Sequence, residues 1–273
     1  MTGIYDKFSL TGKVSLVTGG GGLLGREFVK TLAEAGSLVY LADINADLVE
    51  QTVHSLAGLP GKVSGLVLDV TDPASVDTAI GQVGRDTGHL DVLVNSAALD
   101  PKFDPGHSRT YNNAFEDYPL QSWKEGLEVN LTGVFLVTQA ASRLMIRQNK
   151  GAIINICSTY GLVGPDQRVY DKPGKTKTYK PVFYSVTKAG ILGFTRYLAA
   201  YYAGTGIRVN ALTPGGVENG HDEQFMQNYS SRAILGRMAE RDEMNGALLY
   251  LASDASSYMT GGNLVVDGGW TAW

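Results

Sequence analysis

A tyrosine and a lysine four residues apart, Tyr184 and Lys188 in Tyr-Ser-Val-Thr-Lys, have the clearest capacity for chemistry in this sequence. Residues i and i+4 of a helix share one face, so the two side chains would be neighbours if a helix begins at Tyr184. A tyrosine hydroxyl titrates near pH 10, and one ammonium about 4 Å away favours its ionised form by about 4 kcal/mol at an effective dielectric constant of about 20. Lys188 could therefore make Tyr184 a general base in oxidation, or a proton donor in reduction.

Two further polar residues could act together with this pair. Ser158 ends a strand-like run, where its hydroxyl could hold a substrate oxygen. Asn130, within Glu-Val-Asn-Leu-Thr, could anchor a water molecule that relays protons. The sequence leaves a structural alternative open for each, because a strand-end hydroxyl or a buried helix amide can simply bond to nearby backbone.

A glycine-rich segment, residues 18–25, lies between a strand-like run and a helical pattern. Glycines let the backbone approach a pyrophosphate, and a helix amino terminus offers N–H donors and the positive end of its dipole. Gly20, Gly22 and Gly25 satisfy the GxGxxG pattern, although a glycine turn without a nucleotide is the alternative. The residues expected to contact a dinucleotide here are Gly19, Gly22, Leu23, Leu24 and Gly25.

Two aspartates end the next strand-like runs. Asp43 lies 18 residues after Gly25, where its carboxylate could accept hydrogen bonds from the adenosine ribose hydroxyls and would repel a 2′-phosphate. We therefore expect NAD as the cofactor rather than NADP. Asp69 is placed to meet the adenine. The alternative for each aspartate is to cap the helix that follows it.

Short β-branched runs alternate with longer helical patterns along the whole chain. The strand-like runs cover residues 13–18, 37–43, 63–69, 90–95, 152–158, 206–212 and 263–267. The helical patterns cover residues 24–35, 46–57, 73–87, 120–147, 184–203 and 243–252. Apolar strands that alternate with helices predict an α/β fold with a doubly wound, parallel, seven-stranded sheet covered on both faces. We expect one domain, residues 1–273.

Two segments, residues 98–119 and 162–181, are too long to be simple connections. Both follow strands, so both should emerge at the carboxyl edge of the sheet, where open α/β sheets bind ligands. The second segment has an excess of positive charge, with Arg168, Lys172, Lys175, Lys177 and Lys180 against Asp166 and Asp171. A carboxylated or phosphorylated substrate would explain that excess, and a solvated loop is the alternative.

Composition argues for a small-molecule enzyme of a reducing compartment. The net charge of −4 gives no general attraction to nucleic acid or to an anionic membrane. The sequence contains one cysteine and begins without an apolar leader, so we expect a cytoplasmic protein without a membrane span. We expect no metal, because the four histidines, His54, His89, His107 and His221, lack the spacing of ligands.

The order of these motifs resembles the short-chain dehydrogenase/reductase family, in its single-domain branch. The resemblance extends from Lys13 to Asp267 and includes Arg-Val-Asn at 208–210, Pro-Gly at 214–215 and Val-Asp-Gly-Gly at 266–269. It implies a Rossmann fold, a dimer or tetramer, and a catalytic tetrad of Asn130, Ser158, Tyr184 and Lys188. It also implies that Lys188 holds the nicotinamide ribose. Further cofactor contacts that it implies are Asp69, Val70, Asn95, Ala97, Tyr184, Pro214, Gly215 and Val217.

The sequence departs from the family pattern at several positions. Leu23 stands where the family has a glycine, which would reshape the seat of the pyrophosphate. Asn-Ser-Ala-Ala at 95–98 replaces the usual Asn-Asn-Ala-Gly, which leaves the roles of Ser96 and Ala98 open. Asn219 stands where a cofactor-contacting threonine is common, and the segment between Ser158 and Tyr184 is longer than usual.

The substrate is less defined than the reaction. The long second segment and the ending Trp-Thr-Ala-Trp resemble enzymes of bacterial surface-sugar and flagellin-glycan pathways and, less closely, sugar-acid dehydrogenases. We expect a hydroxyl or keto group of a sugar, sugar acid or sugar nucleotide, contacted by Ser158, Tyr160, Gly216 and His221. A 3-oxoacyl thioester reductase and a cofactor-binding protein without turnover are the alternatives.

Overall fold

The computed structural model describes residues 3–100, 113–171, 174 and 177–273. Within them, seven parallel strands form one sheet in the order β3-β2-β1-β4-β5-β6-β7. The strands are β1 Val14–Thr18, β2 Leu38–Asp43, β3 Val63–Val67, β4 Val92–Asn95, β5 Lys150–Ile156, β6 Gly206–Pro214 and β7 Asn263–Val266. The predicted doubly wound sheet is confirmed, and its strand order reverses between β1 and β4, where such sheets bind ligands.

Helices cover both faces of this sheet. In the described residues they are α1 Leu23–Glu34, α2 Ala46–Ser55, α3 Pro73–Thr87, α4 Leu120–Leu127, α5 Val134–Gln148, α6 Val182–Tyr201, α7 Glu223–Ser230 and α8 Asn245–Ala252. A π-helical turn, Glu128–Gly133, joins α4 to α5. The helical pattern predicted over 120–147 is thus continuous, but neither its π-helical turn nor α7 was predicted.

Alternation of side chains along the central strands builds two apolar layers. Leu16 and Leu93 point to the face covered by α3 and α5. Their neighbours Val17 and Val94 point to the opposite face, which α1 and α8 cover. Because successive side chains of a strand face opposite sides, both faces of each central strand must be largely apolar. The candidate site begins at the edge where these strands end.

The helical run Leu120–Gln148 is long and apolar enough to cross a membrane by length and composition. In the fold, however, 56% of its most apolar window is buried. Val137, Ala141 and Met145 are fully covered by the sheet and by α3. This burial is that of a core helix in a water-soluble α/β sheet.

Candidate active site

A cavity of about 460 Å³ runs along the carboxyl edge of the sheet, from Asp43 at the end of β2 to Phe225 on α7. The predicted site residues that line it are Gly19, Gly22, Leu23, Leu24, Gly25, Asp43, Asp69, Val70, Ala97, Ser158, Tyr160, Tyr184, Lys188, Pro214, Gly215, Gly216 and Val217. The fold thus brings together residues that lie far apart in the sequence, with the predicted cofactor contacts at one end and the predicted chemistry at the other.

The glycine turn between β1 and α1 forms one end of the cavity. Gly19 has a φ of +63°, and a β-carbon there would lie 2.7 Å from the Cα of Ala97, so only glycine fits. No side chain caps α1, whose N-cap is Gly22. The N–H groups of its first turn are therefore available to an anion, and Leu23 begins the helix without blocking them. This turn fits the pyrophosphate of a dinucleotide.

The carboxylate of Asp43 is fixed beside the glycine turn. Its Oδ2 accepts a hydrogen bond from the Gly21 N–H (3.1 Å) and its Oδ1 accepts one from the Asn45 N–H (3.1 Å). The cap of α2 is Asn45, whose Oδ1 accepts from the Leu48 N–H (3.0 Å). Asp43 is therefore not the helix cap that was its alternative role, and its carboxylate lies on the cavity.

Asp69 lies further along the same edge. Its Oδ1 accepts hydrogen bonds from the N–H and the hydroxyl of Thr71, at 2.9 and 2.7 Å. The cap of α3 is Asp72, which accepts from the Ala74 N–H (3.0 Å). As with Asp43, the capping alternative is wrong for Asp69, and its contact with the adenine stays a prediction.

Tyr184, Ser158 and Lys188 meet at the other end of the cavity. Helix α6 begins at Val182, two residues before Tyr184, because Pro181 has no N–H to continue a helix backwards. The Ser158 hydroxyl interacts with Tyr184 and lowers the pKa of its hydroxyl. The Ser158 Oγ also accepts a hydrogen bond from the Tyr160 N–H (3.2 Å). Lys188 donates from Nζ to the carbonyl of Ile156 at 2.8 Å, and this Nζ lies 5.8 Å from the centroid of the Tyr184 ring. The predicted i, i+4 arrangement is present.

The protonation of Tyr184 differs from what Lys188 alone would give. Burial raises the pKa of the Tyr184 hydroxyl, the Asp100 carboxylate raises it further, and the hydrogen bond from Ser158 lowers it. Burial also lowers the pKa of the Lys188 ammonium. Lys188 Nζ is bonded to the Ile156 carbonyl, and burial is the largest influence on the Tyr184 pKa. Tyr184 is accordingly a neutral phenol at neutral pH, suited to donating a proton.

Asn130 lies beneath the cavity wall rather than on it. Its Oδ1 accepts a hydrogen bond from the N–H of Leu99 (2.7 Å), and its Nδ2 donates to the Leu99 carbonyl (3.1 Å). The side chain therefore clamps the backbone that follows β4, which was the structural alternative for this residue. It sits in the π-helical turn, a feature common at functional sites. Its role in a proton relay remains a prediction.

Two other predicted contacts also lie off the cavity. Asn95 points into the core, where its Nδ2 donates to Thr138 Oγ1 (2.9 Å) and Asn155 Oδ1 (2.8 Å). His221 stacks on Phe225, with 4.7 Å between ring centroids. The described contacts of Asn95 and His221 are thus with other protein groups, and their contacts with a cofactor and a substrate stay predictions. Asn95 orders the strand end, and Phe225 is the residue that reaches the cavity.

An ion pair inside the cavity was not predicted from the sequence. Lys180 Nζ lies 2.7 Å from Asp100 Oδ1, and the two side chains are only 4% and 22% exposed. The same Nζ lies 4.0 Å from the ring centroid of Tyr184, closer than Lys188 does. In the sequence, Lys180 is one of several basic residues of a loop, and only its position after β4 distinguishes Asp100 from other aspartates. The position of Lys180 four residues before Tyr184 could have drawn attention to it.

Two other basic residues of the second loop, Arg168 and Lys177, are exposed to solvent. Arg168 pairs with Asp166 at 2.8 Å, and Lys177 pairs with Asp171 at 3.7 Å. Lys172 and Lys175 lie outside the described residues, as do residues 101–112 of the first loop, which include His107. In the remainder of the chain, no group of three or more His, Cys, Asp or Glu residues could hold a metal.

Aromatic side chains form the far wall of the cavity. Tyr170 donates a hydrogen bond to the Tyr160 hydroxyl (3.2 Å), and burial raises the pKa of Tyr160 to about 12. Tyr229 accepts a hydrogen bond from the Gly216 N–H (2.5 Å) and stacks on Trp270, with 4.2 Å between ring centroids. Tyr160, Tyr170 and Tyr229 line the cavity as neutral phenols, while Trp270 supports them from behind.

Comparison with known proteins gives this geometry a context. A family model described as enoyl-(acyl carrier protein) reductase matches residues 22–271. A 3-oxoacyl-[acyl-carrier-protein] reductase FabG of Thermotoga maritima is 35% identical over 264 residues, 95% of this chain and 98% of that one. A D-threitol dehydrogenase of Mycolicibacterium smegmatis is 35% identical over 269 residues, 97% of this chain and 95% of that one.

Solved structures match over the full length. A short-chain type dehydrogenase/reductase from Mycobacterium marinum has a TM-score of 0.86 at 32% identity, with 100% of both chains covered. A gluconate 5-dehydrogenase from Burkholderia cenocepacia, solved with NADP and tartrate, has a TM-score of 0.85 at 30% identity, with 98% of both chains covered. The relatives are named for acyl carrier protein, polyol and sugar-acid substrates, so similarity alone leaves the substrate open.

Proposed function

The chain belongs to the short-chain dehydrogenase/reductase family, and on that premise we propose that it is an NAD-dependent oxidoreductase. It interconverts a secondary alcohol and a ketone on a polar, carbohydrate-like substrate. The observation that carries the proposal is that one cavity holds both groups of residues. The glycine turn and Asp43 lie at one end, and Ser158, Tyr184 and Lys188 lie at the other. A binding protein without turnover would have no use for the second group.

The side chains divide the work at the reacting carbon. A bound nicotinamide would supply the hydride acceptor or donor. The Tyr184 hydroxyl exchanges a proton with the substrate oxygen. The neighbouring Ser158 hydroxyl orients that oxygen. Lys188 keeps N–H donors for the nicotinamide ribose after its bond to Ile156. Pro214, Gly215 and Val217 form the wall on which the nicotinamide ring would rest.

The choice of NAD rests on Asp43. Its carboxylate is fixed by two backbone N–H groups at the position where the adenosine ribose would lie, so it can accept bonds from ribose hydroxyls. A 2′-phosphate there would face like charge at short range. Fold similarity does not decide between NAD and NADP, because the gluconate 5-dehydrogenase of similar fold was solved with NADP. The preference for NAD therefore needs an experimental test.

The polar lining of the cavity supports a carbohydrate-like substrate. Lys180 and Asp100 offer a donor and an acceptor beside Tyr184, and Tyr160 and Tyr170 offer aromatic faces with hydroxyls. The D-threitol dehydrogenase similarity agrees with such a substrate. A second candidate, reduction of a 3-oxoacyl thioester, is favoured by the similarity to FabG. Asp43 disfavours it, since reductive biosynthesis ordinarily uses NADPH.

The assembly we propose is a homo-oligomer, a tetramer or a dimer, that acts in the cytoplasm on small molecules without nucleic-acid or membrane partners. Helices α5 and α6 carry exposed apolar or aromatic side chains, namely Phe135, Val186, Tyr197 and Tyr201, which is unusual for a surface in water. Burial between copies would cover them. Size-exclusion chromatography with light scattering tests this assembly.

A screen of the purified protein for NAD reduction tests the function directly. The panel comprises polyols, sugars, sugar acids and sugar nucleotides, and includes 3-oxoacyl thioesters in the reductive direction with NADH and NADPH. We expect NAD-linked oxidation of a polyol or sugar and no thioester reduction. Thioester reduction would establish the second candidate instead. Binding of NADH without turnover of any compound would favour a cofactor-binding protein.

A further inference from the structure

The ion pair between Lys180 and Asp100 is a built feature of the substrate end of the cavity. Among the described residues, Lys180 Nζ donates one hydrogen bond, to Asp100 Oδ1 at 2.7 Å. The ammonium lies over the ring of Tyr184 at 4.0 Å and 6.0 Å from the ring centroid of Tyr160. The backbone is held as well, since the Lys180 N–H donates to Gln167 Oε1 at 2.9 Å. The chain thus orients this buried lysine from both ends.

Fold stability does not account for such a pair. Removing two opposite charges from water has a cost that commonly equals or exceeds their attraction, so a buried ion pair is a weak source of stability. This pair faces a cavity instead of the core. An ammonium has three N–H donors, and a carboxylate oxygen can accept more than one hydrogen bond, so a ligand hydroxyl can bind both groups while they remain paired.

We propose that Lys180 and Asp100 are specificity-determining residues that together bind a hydroxyl group next to the reacting carbon, so that the substrate is a neutral vicinal diol or the matching hydroxyketone. The inference rests on the proposed function, because it takes Tyr184 as the group that contacts the reacting oxygen. Lys180 lies against the ring that carries the Tyr184 hydroxyl, so oxygens on two adjacent carbons can reach both groups.

The pair selects for a hydroxyl over the other groups a substrate could carry there. A hydroxyl both accepts a hydrogen bond from the ammonium and donates one to the carboxylate. A carboxylate would gain from Lys180 but be repelled by Asp100 at nearly the same distance. An unsubstituted carbon would remove water from both charges without replacing its hydrogen bonds, which disfavours binding.

Three ring compounds that differ only at the neighbouring carbon test the proposal: cyclopentanol, trans-cyclopentane-1,2-diol and trans-2-hydroxycyclopentane carboxylate. Their dissociation constants from the protein saturated with NADH are measured by calorimetry, and their NAD-dependent oxidation is followed in parallel. We expect the diol to bind more tightly than either of the others by about 10- to 100-fold, the range for hydrogen bonds to charged groups. Equal binding of the three, binding of none, or preference for the carboxylate would overturn the proposal.

Variants separate recognition from a structural role. Lys180→Met should reduce the advantage of the diol over cyclopentanol to within about threefold, and Lys180→Arg should restore part of it. Asp100→Asn should reverse the preference between carboxylate and diol, a gain that damage to the fold would not produce. Asp100→Asn also tests the proposal if Lys180→Met folds poorly. Unchanged preferences in Lys180→Met or Asp100→Asn would refute the proposal.

The matched control is a second Lys–Asp pair at the opposite edge of the sheet. Lys13 Nζ lies 3.3 Å from Asp91 Oδ1, before β1 and β4 and away from the cavity. Lys13→Met removes the same charge from the same kind of pair and should leave the binding ratios unchanged. Preferential diol binding without NAD-dependent oxidation of any compound would refute the proposed function and leave the recognition pair standing.

Discussion

The substitution Asp43→Asn is the sharpest test of cofactor choice. The carboxylate of Asp43 is held by the N–H groups of Gly21 and Asn45, both at 3.1 Å. A phosphate group about 4 Å from it would be repelled by between about 1 and 4 kcal/mol, depending on solvent exposure. Since Asp43 is half-buried at the cavity edge, about 2 kcal/mol is a fair value, or about 30-fold in kcat/KM. Asparagine keeps the size and one carbonyl acceptor but removes the charge.

The assay is steady-state oxidation with NAD and with NADP at the same substrate concentration. The protein should favour NAD, and Asp43→Asn should lower the ratio of kcat/KM values for NAD over NADP by about 30-fold. The control is Asp47→Asn, which makes the same charge change on an exposed side chain in the first turn of α2. An NADP preference of the unchanged protein, or an equal ratio in Asp43→Asn, would refute the reasoning.

The remaining predictions concern pH and folding. Burial raises the pKa of Tyr184, so the ionised base is scarce at neutral pH. The rate of oxidation should therefore rise between about pH 6 and pH 9. The rate of reduction should not rise, because reduction needs the neutral phenol. A pH-independent oxidation limited by chemistry would contradict this assignment. Asn130→Ala leaves the Leu99 N–H and carbonyl without their buried partners, so the free energy of unfolding in urea should fall by about 1–3 kcal/mol. The control Gln51→Ala removes an exposed amide of α2 and should change the free energy by less than about 1 kcal/mol.

Most of the fold and the cofactor end of the site were predictable because their signals are local. The strands β1, β4 and β5 are rich in apolar residues on both faces, which indicates burial on both sides of the sheet, and the glycine turn follows β1 directly. The helical pattern predicted over residues 73–87 coincides with α3, whose start has a local signal: the capping side chain of Asp72 is followed by Pro73. Tyr184 and Lys188 were found because helical spacing is also local.

The features that were missed depend on contacts between distant segments. Lys180 and Asp100 lie 80 residues apart, and no local pattern distinguishes a lysine turned into a cavity from one in water. Helix α7 has only 8 residues and a polar composition, so its pattern is too short to stand out, yet Phe225 and Tyr229 on it complete the aromatic wall. The protein partners of Asn95 and Asn130 also lie far away in the sequence and gave no local signal, and the predicted ligand roles of both amides stay predictions.

Turnover of the Tyr184→Phe variant tests the central claim most directly. Phenylalanine keeps the half-buried ring and removes only the hydroxyl beside Ser158. The account predicts that kcat on the best substrate falls by about 100- to 10,000-fold, the usual contribution of a general acid or base. The affinity for NADH, measured by fluorescence, should stay within about threefold. Full turnover by Tyr184→Phe would contradict the account.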